Sequence, residues 1–155
     1  MKSLVVFYSR TGNTKKLAKS INELLKNEIE EIIDTKKRKG ALGFFIGGKD
    51  ASQKKLTKIK DIKKDPLKYE LILIGTPIWM GRMCPAIRTY ICKNKDKFKN
   101  VAFFCTMGSE GNKEKFIDME ESCGKKPIAT LELRTKEVAD KEYKKVKEFI
   151  KKLVS

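Results

Sequence analysis

Short apolar runs recur along the chain and alternate with segments in which apolar residues are spaced three or four positions apart. A continuous apolar run is typical of a strand that is covered on both faces, as in a parallel sheet. Five such runs, the second of them weaker and alternating, predict strands over residues 4–8, 29–33, 69–75, 101–105 and 128–133.

The spaced segments predict amphipathic helices between the strands. The clearest apolar stripe follows the first strand, and Thr11 or Asn13 is its expected N-cap. Pro85 suits the first turn of a later helix, and Gly124 suits the C-cap of another. The stripes consist of Leu17, Ala18, Ile21, Leu24 and Leu25, then Ile87, Tyr90 and Ile91, then Phe116, Met119 and Cys123, and last Tyr143, Val146, Phe149, Ile150 and Leu153.

Residues 35–67 have the least regular pattern, and there Leu56, Ile59 and Ile62 predict only a short, poorly amphipathic helix. Elsewhere strand and helix alternate without an internal repeat or a linker. The chain is therefore predicted to form one α/β domain over residues 1–155. Its parallel sheet should carry helices on both faces.

The composition indicates a folded protein outside the membrane. Of its 155 residues, 40% are apolar, which is enough for a sizeable core. No apolar run approaches the roughly 20 residues that span a bilayer. The first run is also too short for the core of a signal peptide. We therefore expect a soluble, cytoplasmic protein without membrane insertion.

The net charge of +16 limits the kinds of partner that the protein would bind. Lysines are spread from Lys15 to Lys152 rather than gathered in one arm. This spread favours a solvated, charged surface of the kind that thermophilic proteins carry. An acidic protein partner is the second interpretation, and nucleic acid is a weaker third. The sequence leaves the oligomeric state open between monomer and homodimer.

The residue types that usually carry out chemistry are sparse. Four cysteines, at positions 84, 92, 105 and 123, form no Cys-x-x-Cys pair, and the chain has no histidine. A zinc site and histidine-dependent nucleophilic catalysis are therefore disfavoured, and we expect the thiols to be buried and reduced. Any chemistry would then belong to a bound cofactor.

Polar, glycine-containing loops follow three of the predicted strands, at residues 9–14, 76–82 and 106–112. Ligands of open parallel sheets bind outside the carboxyl ends of the strands, where the strand order reverses. Backbone amides, hydroxyls and a helix N-terminus meet at the first of these loops. The sequence therefore predicts a phosphate site there.

These three loops resemble the cofactor loops of the flavodoxin family. The S-x-T-G-N-T pattern at residues 9–14 is similar to the loop that binds the FMN phosphate. The T-P-x-W-x-G pattern at residues 76–81 resembles the loop that covers one flavin face, and T-x-G at 106–108 resembles the loop on the other side. The resemblance extends over residues 3–153. It implies a short-chain, flavodoxin-like three-layer sandwich whose five parallel strands are in the order 2-1-3-4-5.

The resemblance also implies FMN as the cofactor and a set of contacts to it. Trp79 is expected to contact the flavin ring, and the Met80–Gly81 peptide is expected to respond to the flavin redox state. Arg10 would either point to solvent or pair with the phosphate. The implied cofactor-binding residues are Ser9, Arg10, Thr11, Gly12, Asn13, Thr14, Thr76, Pro77, Ile78, Trp79, Met80, Gly81, Thr106, Met107, Gly108 and Gly111.

The glycine-rich segment 40–48 has two interpretations. Residues 43–49 match the spacing of a phosphate-binding P-loop, but Asp50 stands where a Ser or Thr would hold magnesium, so nucleotide binding is disfavoured. The segment either packs within the fold or forms a partner or substrate surface beside the flavin. The third loop has no Tyr or Trp before Lys115, so Phe44 or Phe45 is a candidate to cover the second ring face.

Two redox functions, and a third function from a different class, are compatible with these residues. The leading hypothesis is an FMN-dependent carrier that passes electrons between redox partner proteins, as the resemblance implies. The alternative is a small FMN-dependent reductase that passes electrons from NAD(P)H to a quinone or a similar acceptor, which an open flavin face would favour. A non-redox binding module is less favoured, because all the expected donors of the phosphate loop are present.

Overall fold

The computed structural model describes residues 1–109, 114–140 and 143–155. Five parallel strands form its main sheet in the order β2-β1-β3-β5-β6, and the short β4 pairs antiparallel with the end of β3. With β4 set aside, this order is the predicted 2-1-3-4-5. The strands are β1 (Ser3–Phe7), β2 (Glu28–Glu31), β3 (Leu71–Trp79), β4 (Arg82–Met83), β5 (Asn100–Met107) and β6 (Thr130–Arg134).

Helices cover both faces of the sheet. Helices α1 and α6 pack together on one face, and α3 and α4 pack together on the other. Within the described ranges, none is long and apolar enough to cross a membrane. The helices are α1 (Asn13–Leu25), α2 (Gly40–Ser52), α3 (Pro85–Asn94), α4 (Glu114–Cys123), α5 (Thr135–Ala139) and α6 (Tyr143–Val154).

The apolar run of β1 is buried on both sides, as its pattern predicts. Leu4 and Val6 belong to the apolar cluster that includes α3 and α4, while Val5 and Phe7 belong to the cluster that includes α1 and α6. Successive side chains of a strand point to opposite faces, so one continuous run contributes to two cores. This is the physical basis of the three-layer arrangement.

The structure corrects the prediction for residues 35–67. Leu56, Ile59 and Ile62 form no helix; their segment is irregular, and Ile59 makes an isolated antiparallel bridge with Asp34. The helix of this region is α2, which lies over the glycine-rich segment. Glycine is a poor helix former, and this low propensity hid the helix from the pattern.

Helix ends follow the predictions in two cases out of three. Neither Thr11 nor Asn13 caps α1, because Gly12 occupies the N-cap position with a φ of 100°. Pro85 lies in the first turn of α3 as predicted. Gly124, with a φ of 70°, follows the end of α4, and its N–H donates to the carbonyl of Glu120 over 2.7 Å.

The expectation of four buried thiols is wrong at one position. Cys84, Cys105 and Cys123 are buried, but Cys92 lies on the exposed side of α3, and all four are free. Burial raises the pKa of the Cys84 thiol to about 11, and it also raises the pKa of the Cys105 and Cys123 thiols. Because the thiolate is the reactive form, these three should be inert in the folded protein.

We therefore expect one fast-reacting thiol in the native protein and four after unfolding. The measurement is a titration with an aromatic disulfide reagent at pH 8, with and without guanidinium. The variant Cys92→Ser should lose the fast phase, whereas Cys123→Ser should keep it. A native protein with two or more fast thiols would contradict the burial of the other three.

Candidate functional site

A cleft lies at the carboxyl ends of β1, β3 and β5. The sheet order places β1 between β2 and β3, so the strand order reverses beside this cleft. The cleft has a volume of about 190 Å³ and brings together residues from all three predicted loops. The predicted residues on its walls are Arg10, Thr11, Asn13, Thr14, Pro77, Ile78, Trp79, Thr106, Met107 and Gly108.

The first loop presents hydrogen-bond donors around the start of α1. The Gly12 N–H donates to Ser9 Oγ over 3.1 Å, and Asn13 Nδ2 donates to Thr11 Oγ1 over 3.4 Å. The first turn of α1 contains no acidic residue. The first amides of a helix have no carbonyl partner within that helix, and the N-terminus carries the positive end of the helix dipole. This loop therefore suits a phosphate.

Two buried hydroxyls join the first loop to the third. Thr14 Oγ1 and Thr106 Oγ1 lie 2.8 Å apart and share a hydrogen bond. Both residues are buried, so the start of α1 is fixed against the end of β5. One hydroxyl hydrogen is used in this bond, and the accepting hydroxyl keeps its own hydrogen for a further acceptor.

The second predicted loop is a strand end followed by a tight turn. β3 continues to Trp79, past the predicted end at Gly75, and pairs there with β4. Met80 and Gly81 form the two-residue connection, with φ values of 50° and 76°. Two consecutive positive φ values are typical of the hairpin turns whose twist matches that of the flanking strands.

Several predicted residues lie away from the cleft walls. Thr76 is fully buried, donates from Oγ1 to the Pro77 carbonyl over 2.8 Å, and accepts from the Cys84 N–H over 3.1 Å. It therefore fastens β3 to the start of α3. Ser9, Gly12, Met80 and Gly81 are absent from the lining of the cleft. The predicted Gly111 lies outside the described residues.

Trp79 is held from three directions. Its ring meets Tyr8 edge to face, with ring centroids 5.8 Å apart and an interplanar angle of 86°. The guanidinium carbon of Arg38 lies 5.9 Å from the ring centroid, within the range of a cation–π contact. A Cβ atom added at Gly47 would lie 3.1 Å from the ring, so α2 packs directly against it.

Arg38 is buried within a cluster of charges beside the cleft. Its Nε donates to Asp34 over 2.7 Å, and its Nη1 donates to Asp50 over 3.0 Å. Lys36 also donates to Asp50 over 3.0 Å. Desolvation alone would raise the pKa of Asp50, but the hydrogen bonds from Lys36 and Arg38 outweigh it and hold that pKa below its usual value. Asp50 is therefore ionised and paired at neutral pH.

Tyr8, which packs against Trp79, is a neutral phenol. Burial, with smaller contributions from Cys84 and Asp34, raises the pKa of Tyr8 to about 12. The phenol therefore stays protonated across the physiological range. It acts on the site through its ring contact with Trp79.

Arg10 does not point freely to solvent, one of the two predictions for it. Its Nε donates to the Arg38 carbonyl over 2.8 Å, and its Nη2 donates to the Gly40 carbonyl over 3.0 Å. Its guanidinium carbon also lies 5.6 Å from the centroid of the Phe44 ring. Arg10 therefore ties the first loop to the start of α2, while its side chain still forms part of the cleft wall.

Helix α2 is positioned by close contacts at its glycines. A Cβ atom at Gly43 would lie 2.3 Å from the carbonyl carbon of Arg38, which only glycine avoids. Gly43 and Gly47 are both buried, which fits the predicted packing role of the segment. The residues with P-loop spacing thus lie within a helix and do not form a phosphate-binding loop.

Sequence reasoning overlooked several residues around the cleft. Thr135 lines it and donates from Oγ1 to the Met107 carbonyl over 3.3 Å. Its signal was its place directly after the last strand, at the same edge of the sheet. Tyr8, Arg38 and Asp34 support Trp79 without any sequence motif. Phe44, one of the two candidates to cover the second ring face, lines the cleft, whereas Phe45 is absent from its lining.

The strand order and the cleft at the reversal of that order define a doubly wound α/β protein with its ligand cleft at the switch point. A family model described as Flavodoxin matches residues 2–152. No curated protein matches the sequence. This chain therefore belongs to the flavodoxin family. The family, the fold and FMN as the cofactor are confirmed as predicted.

Solved structures agree with this assignment. A flavoprotein from Lactobacillus acidophilus NCFM, solved in complex with FMN, is 29% identical; the match covers 90% of this chain and 97% of that one, with a TM-score of 0.75. Oxidised flavodoxin 1 from Bacillus cereus is 17% identical, with coverage of 99% and 97% and a TM-score of 0.57. The second similarity bears on the fold alone.

The packing of α2 against Trp79 makes a prediction about Gly47. In Gly47→Ala, the new methyl group would press the ring toward the cleft, so we expect a red shift of the fluorescence of this single tryptophan. FMN affinity should fall roughly fivefold, equivalent to about 1 kcal/mol. Ser52→Ala, an exposed change near the end of the same helix, is the control. Identical spectra and affinities for both variants would contradict the contact.

Proposed function

We propose that this protein carries electrons between redox proteins on its bound FMN. The observation that supports this most directly is the composition of the cleft. A donor-rich loop lies at one side, and the apolar wall formed by Pro77, Ile78 and Trp79 lies at the other. A phosphate and a flat apolar ring require these two environments next to each other.

The phosphate end would be held without a cationic side chain. The hydroxyls of Thr11 and Thr14 on the cleft wall and the amides at the start of α1 would supply the donors, while Ser9 Oγ holds the loop by accepting from the Gly12 N–H. Arg10 is already engaged with two backbone carbonyls. Neutral donors on a helix N-terminus bind a phosphate well, because the helix dipole adds a favourable field.

The ring end would be held by Trp79 and the turn that follows it. When bound, FMN supplies the redox chemistry, and the protein supplies position and shielding from water. Contacts with Tyr8, Arg38 and α2 restrict the Trp79 side chain. The apolar wall would therefore be in place before the flavin ring binds. Gly81 lets the Met80–Gly81 peptide take either of two orientations, since glycine adopts both signs of φ. We propose that this peptide responds to the flavin redox state.

The thiols support a reducing location. All four cysteines are free. Free thiols are usual where glutathione and thioredoxin keep cysteines reduced. We therefore propose that the protein works in the cytoplasm.

A second candidate function rests on Phe44. This residue lines the cleft yet is exposed over more than half of its surface. An exposed aromatic ring beside a flavin site could stack a second planar molecule. That arrangement would suit an NAD(P)H-dependent reductase acting on a quinone-type acceptor.

The phosphate site is tested by Thr11→Asp. The new carboxylate would face the phosphate, so we expect FMN affinity to fall about 100-fold or more, since like charges a few ångströms apart repel by several kcal/mol. Quenching of FMN fluorescence on titration measures the affinity. Thr130→Asp, an exposed change at the amino end of β6, should leave the affinity unchanged. An unaltered affinity in Thr11→Asp would mean that the phosphate binds elsewhere.

Carrier and reductase are separated by anaerobic mixing with NADPH. For a carrier, we expect the flavin absorbance to persist for many minutes with NADPH alone and to bleach at once with dithionite. Bleaching within seconds by NADPH, followed by turnover with a quinone, would establish the reductase instead. The variant Phe44→Ala should slow that bleaching if the exposed ring holds the second molecule.

A further inference from the structure

The outward side of α2 is apolar. Leu42, Phe44 and Phe45 of α2 are 73%, 58% and 70% exposed, and Met80 in the turn after β3 is 74% exposed. Phe44 and Phe45 pack edge to face with centroids 5.8 Å apart, and Met80 lies against Gly48 one turn further along the helix. We call these four side chains the α2 apolar face. Contiguous exposed apolar side chains on a soluble protein mark interaction sites.

Most of the surface of this face is exposed rather than packed inside the domain. A surface helix normally buries its large apolar residues and exposes charged ones. Helix α2 is reversed, because it buries Gly43 and Gly47 against Arg38 and Trp79 and exposes its leucine and phenylalanines. Its 13 residues include only Lys49 and Asp50 as charged residues, in a chain that is 36% charged.

The α2 apolar face is continuous with the cofactor cleft. Phe44 belongs to both, and Met80 is part of the turn that follows the Trp79 wall. Arg10 connects the phosphate loop to the first residue of α2. A molecule seated on this face would lie beside the cofactor, at the short range that electron transfer requires.

The charges around the α2 apolar face indicate which kind of partner would bind there. Lys37 and Lys39 precede α2, Lys49 lies on it, and all three are exposed. Asp50 is buried and paired with Arg38, so it contributes little negative potential outside. A second copy of this chain, with its charge of +16, would be repelled. A protein with an acidic surface would be attracted, and steered association would bring it to the cleft.

We propose that the α2 apolar face is the docking site for an acidic electron-transfer protein, with Phe45 as its central contact and the three lysines as its rim. This inference rests on the proposed function, since it assigns the partner surface of the same cofactor. It predicts that docking depends on apolar contact for affinity and on the lysines for association rate.

The experiment measures electron transfer by stopped flow to the FMN-loaded protein from a reduced, acidic [2Fe–2S] ferredoxin, the probe for an acidic partner. Phe45→Ser should lower the second-order rate constant about fivefold or more at low salt. Leu67→Ser is the matched control, because Leu67 is comparably exposed but precedes β3, at the opposite end of the sheet. Lys37→Glu combined with Lys39→Glu should lower the rate and flatten its dependence on salt.

The outcomes separate this inference from the proposed function. Both serine variants should bind FMN as the wild type does and be reduced by dithionite at the same rate. Equal ferredoxin rates for Phe45→Ser and Leu67→Ser, or a wild-type rate insensitive to salt, would overturn the docking site alone. A dimer in ultracentrifugation that Phe45→Ser abolishes, or Phe45-dependent sedimentation with anionic lipid vesicles, would assign the face to a different occupant. A wild type that binds no FMN would overturn the proposed function itself.

Discussion

The geometry of the cofactor cleft depends on the contacts of one buried group, the Arg38 guanidinium. It joins Asp34, which follows β2, to Asp50 on α2, and it lies against the ring of Trp79. Its backbone carbonyl accepts the hydrogen bond from Arg10 and packs against Gly43. A buried cation with two carboxylates contributes less to stability than its Coulomb attraction implies, because all three groups lose hydration. Its effect is to fix geometry, since removing one partner would leave another charge unpaired in the interior.

The sequence identified those parts of the molecule that local patterns determine. β1, β3 and β5 are apolar enough to be recognised one at a time, and the β1 run alone predicts burial on both faces. β2 has a single apolar residue among its four and was the weakest of the five predictions. The meeting of the three loops was predicted from the rule that ligands bind at the carboxyl ends of parallel strands, and not from any single residue. β3 continues beyond Gly75, and Thr76 turns inward toward Cys84 while Pro77 to Trp79 reach the cleft, which the sequence pattern did not distinguish.

Helix α2 escaped prediction because tertiary contacts select its residues. Gly43 and Gly47 are required by the nearness of the Arg38 backbone and the Trp79 ring, and nothing in the local sequence displays that requirement. The partners of Arg10 were hidden for the same reason, since they are backbone carbonyls about thirty residues away. Helix propensity and apolar spacing therefore did not predict α2, because this helix lacks the usual buried apolar side and exposed polar side.

The large positive charge and the α2 apolar face depend on each other. An exposed cluster of leucine, phenylalanine and methionine would promote self-association in a protein of low net charge. In a chain of charge +16, two copies repel before these side chains meet, and the repulsion extends over about 8 Å at physiological salt. The same field attracts an acidic surface to the same place. In the proposed docking, charge therefore sets which molecules reach the α2 apolar face, and apolar contact sets the lifetime of the complex. This division suits the proposed carrier, which must release each partner after one transfer.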